Sequence, residues 1–248
     1  MVINSVIIKL TVGKNMKYNK LGQTDLTVSE LCLGTMTWGT QNTTADAFYQ
    51  IETSLYAGIN FIDTAELYPV NPISGLTQGE SERILGNWLA QSGRRDKVIV
   101  ATKISGSGPK HIRGGVGIFH ESITLAVDAS LKSLKTDYID LYQLHWPNRG
   151  SYHFRQNWRF DPTKQNKAET LDHMAEVLET CALLKKSGKI RAFGLSNESA
   201  WGTANWLRVS EDLSLPRMDS IQNEYSLMCR MFDTDLAELC HNEEVGLL

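Results

Sequence analysis

The chain has 248 residues, of which 42% are hydrophobic and 21% charged, as in a typical globular protein with one sizeable core. Its formal net charge of −3 arises from mixed signs, which argues against nucleic acid or an anionic membrane surface as a partner. No apolar run approaches the roughly 18–20 residues that a membrane-spanning helix needs.

The four cysteines are scattered along the sequence and lack the Cys-x-x-Cys spacing of a metal site. This pattern predicts reduced, mostly buried thiols in a cytoplasmic protein. The four positions are Cys32, Cys181, Cys229 and Cys240.

Residues 1–10 are apolar and β-prone, with one early lysine, Lys9, and without the small-residue cleavage site of a signal peptide. Met16 restarts the sequence with MKYNKLGQTDLTVSELCLG, which is typical of a natural protein start. We therefore predict an N-terminal extension over residues 1–15, outside the fold, and one domain over residues 16–248. An additional strand within residues 1–15 is the alternative.

From residue 17 the sequence predicts a β-hairpin, with strands at 17–20 and 27–29, and then repeating strands and helices. This alternation predicts a parallel sheet with right-handed crossovers. The predicted strands are 31–35, 60–65, 98–103, 139–146, 191–197 and 220–226. The predicted helices are 45–57, 81–91, 118–134, 170–187, 199–209 and 233–242.

These elements form about six β/α units, and residues 245–248 begin a seventh strand. A closed TIM (β/α)8 barrel needs about two more units, so the expected fold is an α/β TIM barrel that is incomplete at the C-terminus. Long loops at 69–79, 105–117 and 147–167 follow strand ends. The third is rich in aromatic residues and arginine, which favours a lid or substrate-shaping wall over a solvated surface loop.

Polar residues of different chemistry stand where the apolar runs end, one per strand, as in the active sites of parallel β/α barrels. Asp63, Lys103 and His145 follow successive strands, and Tyr68 lies in the loop after Asp63. An ammonium group near a phenol lowers its pKa, a carboxylate can balance the ammonium, and an imidazole can donate to a substrate oxygen. Together these groups suit proton donation to an oxygen that develops negative charge.

Each of these residues also has an ordinary interpretation. An aspartate after a strand is commonly a helix cap, a lysine at a strand end is commonly solvated, and a single histidine is commonly structural. One histidine does not make a metal cluster, so no metal site is predicted and a metal-dependent barrel hydrolase is a distant alternative. The combination and order of the four residues favour the catalytic interpretation.

The sequence resembles the aldo-keto reductase superfamily, and in particular its Tas-like branch. The matching stretches are KLGQTDLTVSELCLGTMTWG (20–39), GINFIDTAELYP (58–69), GESERILGNWL (79–89), TDYIDLYQLHWP (136–147), GKIRAFGLSNES (188–199) and IQNEYSLMCR (221–230). The resemblance covers residues 16–248 and implies NADP(H) as hydride donor and a small-molecule carbonyl substrate, without a Gly-x-Gly-x-x-Gly dinucleotide fingerprint.

The resemblance also implies roles for individual residues. Tyr68 is expected to be the general acid, supported by Asp63, Lys103 and His145. The nicotinamide carboxamide is expected to contact three residues at the ends of later strands, and two earlier strand ends are expected to add cofactor contacts. The expected cofactor-binding residues are Thr35, Asp63, Ser196, Asn197 and Gln222.

The sequence departs from the family pattern in two places. Residues 69–78 are inserted between Tyr68 and Gly79, as in the Tas-like branch, and the last two strands of the family pattern do not follow residue 248. Those strands normally supply most of the contacts to the cofactor phosphates. Two alternatives therefore accompany the predicted reductase: an inactive truncated form, and a nucleotide-sensing partner protein such as potassium-channel β-subunits.

Overall fold

The computed structural model describes residues 16–248. The predicted extension over residues 1–15 lies outside the described residues. The rest forms a curled parallel sheet with helices on its outer face, preceded by an antiparallel hairpin. This is a partial α/β barrel, which confirms the predicted fold class. Within residues 16–248, every helix is too short or too polar to cross a membrane.

The hairpin consists of β1 (Tyr18–Lys20) and β2 (Thr27–Ser29), which pair antiparallel as predicted. Leu21, Leu26 and Val28 are buried against inward-facing residues of the sheet, including Phe61 and Leu141. The turn at Gly22 approaches the backbone of residues 219 and 244, which lie one and two positions before two late strands. The hairpin therefore covers the amino-terminal end of the sheet and leaves the carboxyl-terminal end free for a site.

The parallel sheet has seven strands whose order in space follows their order in the chain. Neighbouring strands pair directly, because each crossover passes over the same face with the same hand. The strands are β3 (Cys32–Gly34), β4 (Phe61–Asp63), β5 (Ile99–Ile104), β6 (Ile139–Leu144), β7 (Ile190–Ser196), β8 (Ser220–Gln222) and β9 (Gly246–Leu247).

Six α-helices cover the outer face of the sheet, and the main core lies between them and outward-facing residues such as Ile62, Tyr142 and Phe193. The helices are α1 (Thr44–Tyr56), α2 (Glu80–Ser92), α3 (His120–Leu134), α4 (Lys167–Lys186), α5 (Ala200–Asp212) and α6 (Leu236–Asn242). All six were predicted, with small differences at their ends. For example, α4 begins at Lys167 because the Asn166 side chain accepts hydrogen bonds from the backbone of residues 168 and 169.

The two outer strands of the sheet, β3 and β9, have no second neighbour among residues 16–248, so the described sheet is open on one side. A cavity of about 590 Å³ lies at this opening and is bordered by Cys32, Gln222, Tyr225 and Leu248. The prediction of mostly buried thiols is correct only for Cys181 and Cys240. Cys32 is exposed because it lies on an edge strand, and Cys229 is half-buried in a loop.

Candidate active site

The register of the sheet brings the predicted polar residues to its carboxyl-terminal end. Lys103 on β5 lies directly beside Gln143 on β6. Ser196 on β7 lies beside Gln222 on β8. Directly paired residues of neighbouring strands point to the same face of the sheet. Their side chains therefore face the interior of the partial barrel.

Lys103 is the centre of the site. Its side chain is fully buried, and its ammonium donates to Asp63 Oδ2 at 2.5 Å and to the backbone oxygen of Thr64 at 2.8 Å. It also donates to the Tyr68 hydroxyl oxygen at 3.4 Å. The three donors of an ammonium group are thus all used, which holds the Tyr68 phenol at a defined distance from the charge.

The charge states of Lys103 and Tyr68 follow from this arrangement. Burial alone lowers the pKa of Lys103, but the Asp63 carboxylate and Tyr68 raise it by more, so the ammonium stays charged. Burial raises the pKa of Tyr68, and Lys103 only partly opposes this effect. Lys103 lowers the pKa of Tyr68, as expected, but desolvation raises it by more, so the net shift of the Tyr68 pKa is upward. Tyr68 remains a protonated phenol at neutral pH.

His145 completes the predicted set. Its ring centroid lies 5.7 Å from that of Tyr68, in an edge-on arrangement. Burial, with the Lys103 charge, lowers the pKa of His145 well below its usual range, so the imidazole is neutral. Its Nδ1 is buried and has no hydrogen-bond partner among the described residues. A neutral imidazole can donate one hydrogen bond without adding a second cation beside Lys103.

Gln143 and Thr64 belong to the site, although the sequence analysis did not identify them. The Gln143 side-chain amide donates to Asp63 Oδ1 at 2.9 Å, so the carboxylate is held from both sides. Gln143 lies on β6 two residues before His145, which directly follows that strand, and the two-residue period of an extended chain would have placed both on one face. The contact to Thr64 involves its backbone oxygen, which no side-chain pattern could indicate.

A second group of polar side chains lies at the ends of β7 and β8. The Asn197 side-chain amide donates to the backbone oxygen of His145 and to Ser196 Oγ, both at 3.0 Å. The Asn197 backbone donates to the oxygen of Gln222 at 2.9 Å. Asn197 has a φ of +52°, a conformation that asparagine tolerates better than most residues. These contacts bring Ser196, Asn197 and Gln222 together beside His145.

Thr35, the remaining predicted site residue, lies at the end of β3. Its backbone N–H donates to the oxygen of Asp63 at 3.1 Å, and its hydroxyl is buried without a partner among the described residues. The structure thus brings all eight predicted site residues to the same end of the sheet. Residues 16–248 contain no group of three or more His, Cys, Asp or Glu side chains arranged to hold a metal ion.

Comparison with known proteins identifies the family. Residues 30–248 match the sequence profile described as the aldo/keto reductase family. The chain belongs to the aldo/keto reductase family. It is 43% identical over 239 residues to protein tas of Escherichia coli strain K12, covering 94% of this chain and 67% of that protein.

Two further relatives of this chain are more distant. An uncharacterized oxidoreductase of Bacillus subtilis strain 168, YrpG, is 33% identical and covers 94% of this chain and 65% of its own length. Norsolorinic acid reductase stcV of Emericella nidulans is also 33% identical, over 89% of this chain and 52% of its own length. The chain therefore spans about half to two thirds of these relatives.

The long loop after β6 lies over the same end of the sheet. Trp146, beside His145, makes an edge-on contact with Phe154 at a centroid distance of 5.9 Å. Arg149 forms a buried two-point ion pair with Glu198, which immediately follows the Ser196–Asn197 pair. This ion pair ties the loop after β6 to the end of β7, next to the residues that contact Gln222.

Proposed function

We propose that this chain reduces an aldehyde or ketone to an alcohol with NADPH as the hydride donor and Tyr68 as the general acid. The observation that supports the proposal is the Lys103 ammonium, which contacts both the Asp63 carboxylate and the Tyr68 hydroxyl while a neutral His145 lies alongside. This arrangement holds a protonated phenol beside a fixed positive charge in a largely buried pocket.

The proton transfer follows from these contacts. A carbonyl oxygen between Tyr68 and His145 would accept a hydrogen bond from each of the two side chains. As negative charge develops on that oxygen, the Tyr68 proton moves to it, and Lys103 stabilises the phenolate that remains. Asp63 keeps Lys103 charged and in place, because it accepts one of its hydrogen bonds. Such preorganised donors are commonly the largest contribution to catalysis.

A bound reduced nicotinamide would supply the hydride to the carbonyl carbon. Its carboxamide needs both donors and acceptors, and the residues at the ends of β7 and β8 provide them. Ser196 offers a hydroxyl, Asn197 and Gln222 offer side-chain amides, and Gln222 borders the cavity at the open side of the sheet. The unpartnered Thr35 hydroxyl is a further polar group that fits a cofactor contact. We propose NADPH because the resemblance to the family implies it.

The experiment that tests this proposal uses the purified 248-residue chain and two measurements. Quenching or enhancement of NADPH fluorescence gives the dissociation constant, and loss of NADPH absorbance with a panel of aldehydes and ketones gives turnover. We expect saturable binding together with turnover, and weaker binding of NADH as the matched control. Saturable binding without turnover would instead favour a nucleotide-sensing partner protein, and absence of both would contradict the proposal.

A further inference from the structure

Glu66 connects the loop after β4, which carries the proton donor Tyr68, to the start of the loop after β5, the strand that carries Lys103. It is a buried carboxylate between Asp63 and Tyr68 in the sequence. Its Oε1 accepts a hydrogen bond from the backbone N–H of Ser105 at 2.6 Å, and its Oε2 is paired with the Arg113 guanidinium. Arg113 also donates to the Ser105 oxygen at 3.0 Å. The Glu66 carboxylate, the Arg113 guanidinium and the Ser105 backbone therefore each contact the other two.

The backbone around Glu66 reinforces this connection. The N–H of Glu66 donates to the Lys103 oxygen at 3.2 Å, and its oxygen accepts from the Gln78 side chain at 3.1 Å. Glu66 stands two residues before Tyr68, and Ser105 stands two residues after Lys103. Contacts between Glu66 and Ser105 therefore constrain the separation of Tyr68 from Lys103.

We infer that Glu66 and Arg113 act as a positioning pair that sets the distance between the Lys103 ammonium and the Tyr68 hydroxyl. The effect of this positioning pair on catalysis rests on the proposed function. Glu66 and Arg113 act through the backbone of the two loops, and neither contacts the Tyr68 hydroxyl. The sequence analysis identified neither residue.

The geometry makes this distance sensitive to small displacements. At 3.4 Å, the contact between Lys103 and Tyr68 is already at the long end of the hydrogen-bond range. The chargeable groups that face Tyr68 are Lys103 on β5, Asp63 on β4, His145 after β6 and Cys32 on β3. Of these, only Lys103 stabilises the phenolate through both charge and a hydrogen bond. Moving Tyr68 away from Lys103 therefore makes deprotonation harder.

Replacement of Glu66 by glutamine separates a positioning effect from a direct charge effect. Glu66→Gln removes a negative charge and leaves the positive charge of Arg113 without its partner. Both effects stabilise a nearby phenolate. A direct charge effect therefore lowers the Tyr68 titration midpoint. A lost positioning contact moves Tyr68 away from Lys103 and raises the midpoint. The two effects have opposite signs.

The measurement is the pH titration of the Tyr68 Cζ resonance in tyrosine-labelled full-length protein, assigned by its loss in Tyr68→Phe. We expect a higher midpoint in Glu66→Gln than in wild type. Arg113→Lys keeps the charge but cannot reproduce the forked contact with Glu66 and Ser105, so we expect a smaller rise. If circular dichroism shows that Glu66→Gln does not fold, the Tyr68 midpoint of Arg113→Lys tests the inference in its place.

Glu198→Gln is the matched control, because Glu198 is an equally buried carboxylate paired with an arginine on a different loop. We expect it to leave the Tyr68 midpoint unchanged. A Tyr68 midpoint that is lower or unchanged in folded Glu66→Gln overturns the inference. If Glu66→Gln does not fold, an unchanged Tyr68 midpoint in Arg113→Lys overturns it instead. The titration requires no turnover, so an inactive wild-type chain would contradict the proposed function without affecting this test.

If wild type is active, a second readout applies. Loss of positioning weakens proton donation, whose usual contribution is about 10²–10⁴-fold. We expect kcat of Glu66→Gln to fall by at least about tenfold, which is a partial loss of that contribution, while the KM for NADPH changes little. Equal loss in kcat and in cofactor binding would instead indicate general structural damage and contradict a specific positioning role.

Discussion

The Lys103 ammonium and the Asp63 carboxylate form a buried ion pair, with Nζ 2.5 Å from Oδ2. Removing one member leaves the other charge without its partner in a medium that solvates it poorly. We therefore expect Lys103→Met to lower the free energy of unfolding by about 3–5 kcal/mol, measured by urea denaturation. The double variant Lys103→Met with Asp63→Asn removes both charges and should recover most of the loss.

The matched control for this pair is Lys189→Met, which removes an ion pair with Asp128 at the surface. Exposed pairs contribute about 0–1 kcal/mol, so this change should have a small effect. If Lys103→Met proves as stable as the double variant, the Asp63 carboxylate is not dependent on Lys103, and the proposed electrostatic role of the pair is incorrect.

Tyr68→Phe tests the proton donor alone. The phenyl ring keeps the ring contacts with Lys103, whose Nζ lies 4.8 Å from the ring centroid, and with His145. Only the hydroxyl is lost. We expect carbonyl reduction to fall by at least about 10²-fold, as for loss of a positioned acid, with the dissociation constant for NADPH little changed. A parallel loss of binding and turnover would show that Tyr68 contributes to the cofactor site instead.

Much of this site could be predicted from the sequence, because the signal is local. Apolar β-branched runs followed by Asp63, Lys103 and His145 indicate strand ends, and parallel strands bring their ends together. The helices were predicted from their 3.6-residue periodicity, which is also a local signal in the sequence. The lowering effect of Lys103 on the Tyr68 pKa was predicted, but the larger opposing effect of burial was not, because the extent of burial depends on distant packing that no local pattern encodes.

The contacts between loops are the part that sequence analysis missed. Arg113 lies in a loop without periodicity, and its pairing with Glu66 depends on the path of residues 105–117 in space. Gln143 lay within an apolar run, where it was interpreted as part of the strand. The Arg113–Glu66 contact joins residues 47 positions apart in the chain, and the Gln143–Asp63 contact joins residues 80 positions apart. Such contacts can be identified only from the three-dimensional structure, in which the strand ends and their loops lie side by side.

Glu82 on α2 should make stability depend on pH. Burial raises the pKa of Glu82 from 4.5 to about 7, although the Thr102 hydroxyl donates to it at 2.6 Å. Between these values the folded protein binds more protons than the unfolded chain, so stability falls as pH rises through this window. Glu82→Gln removes this dependence and keeps an acceptor for Thr102.

The expected result is a variant that gains stability over wild type as pH rises from about 4 to about 8. The gain is at most about 3–4 kcal/mol, since one pKa unit corresponds to about 1.4 kcal/mol. Urea denaturation at several pH values measures it. Glu52→Gln is the control of opposite sign at lower pH: hydrogen bonds from Trp88 and Arg94 lower the pKa of Glu52, so this variant loses stability relative to wild type as pH rises toward about 4.5 and shows no further change above it. A difference between wild type and Glu82→Gln that does not change with pH would contradict the assigned charge state.

The ion pair between Arg149 and Glu198 should hold the loop after β6 against the end of β7. Both side chains are largely buried, whereas Arg155 and Arg159 in the same loop are exposed and open to trypsin. Breaking a buried pair by removing one partner costs about 3–5 kcal/mol, and part of that cost should appear as local opening of the loop.

We expect trypsin to cleave after Arg155 and Arg159 at least about tenfold faster in Glu198→Gln than in wild type. Cleavage follows the population of the open loop, and about 1.4 kcal/mol corresponds to tenfold. Mass spectrometry of the early fragments gives the rate at each site. Arg208→Gln, which removes an exposed pair with Asp212, is the control and should leave the rate unchanged. Equal rates in wild type and Glu198→Gln would show that other contacts, such as the hydrogen bond between His153 and the Glu198 oxygen, are sufficient to hold the loop.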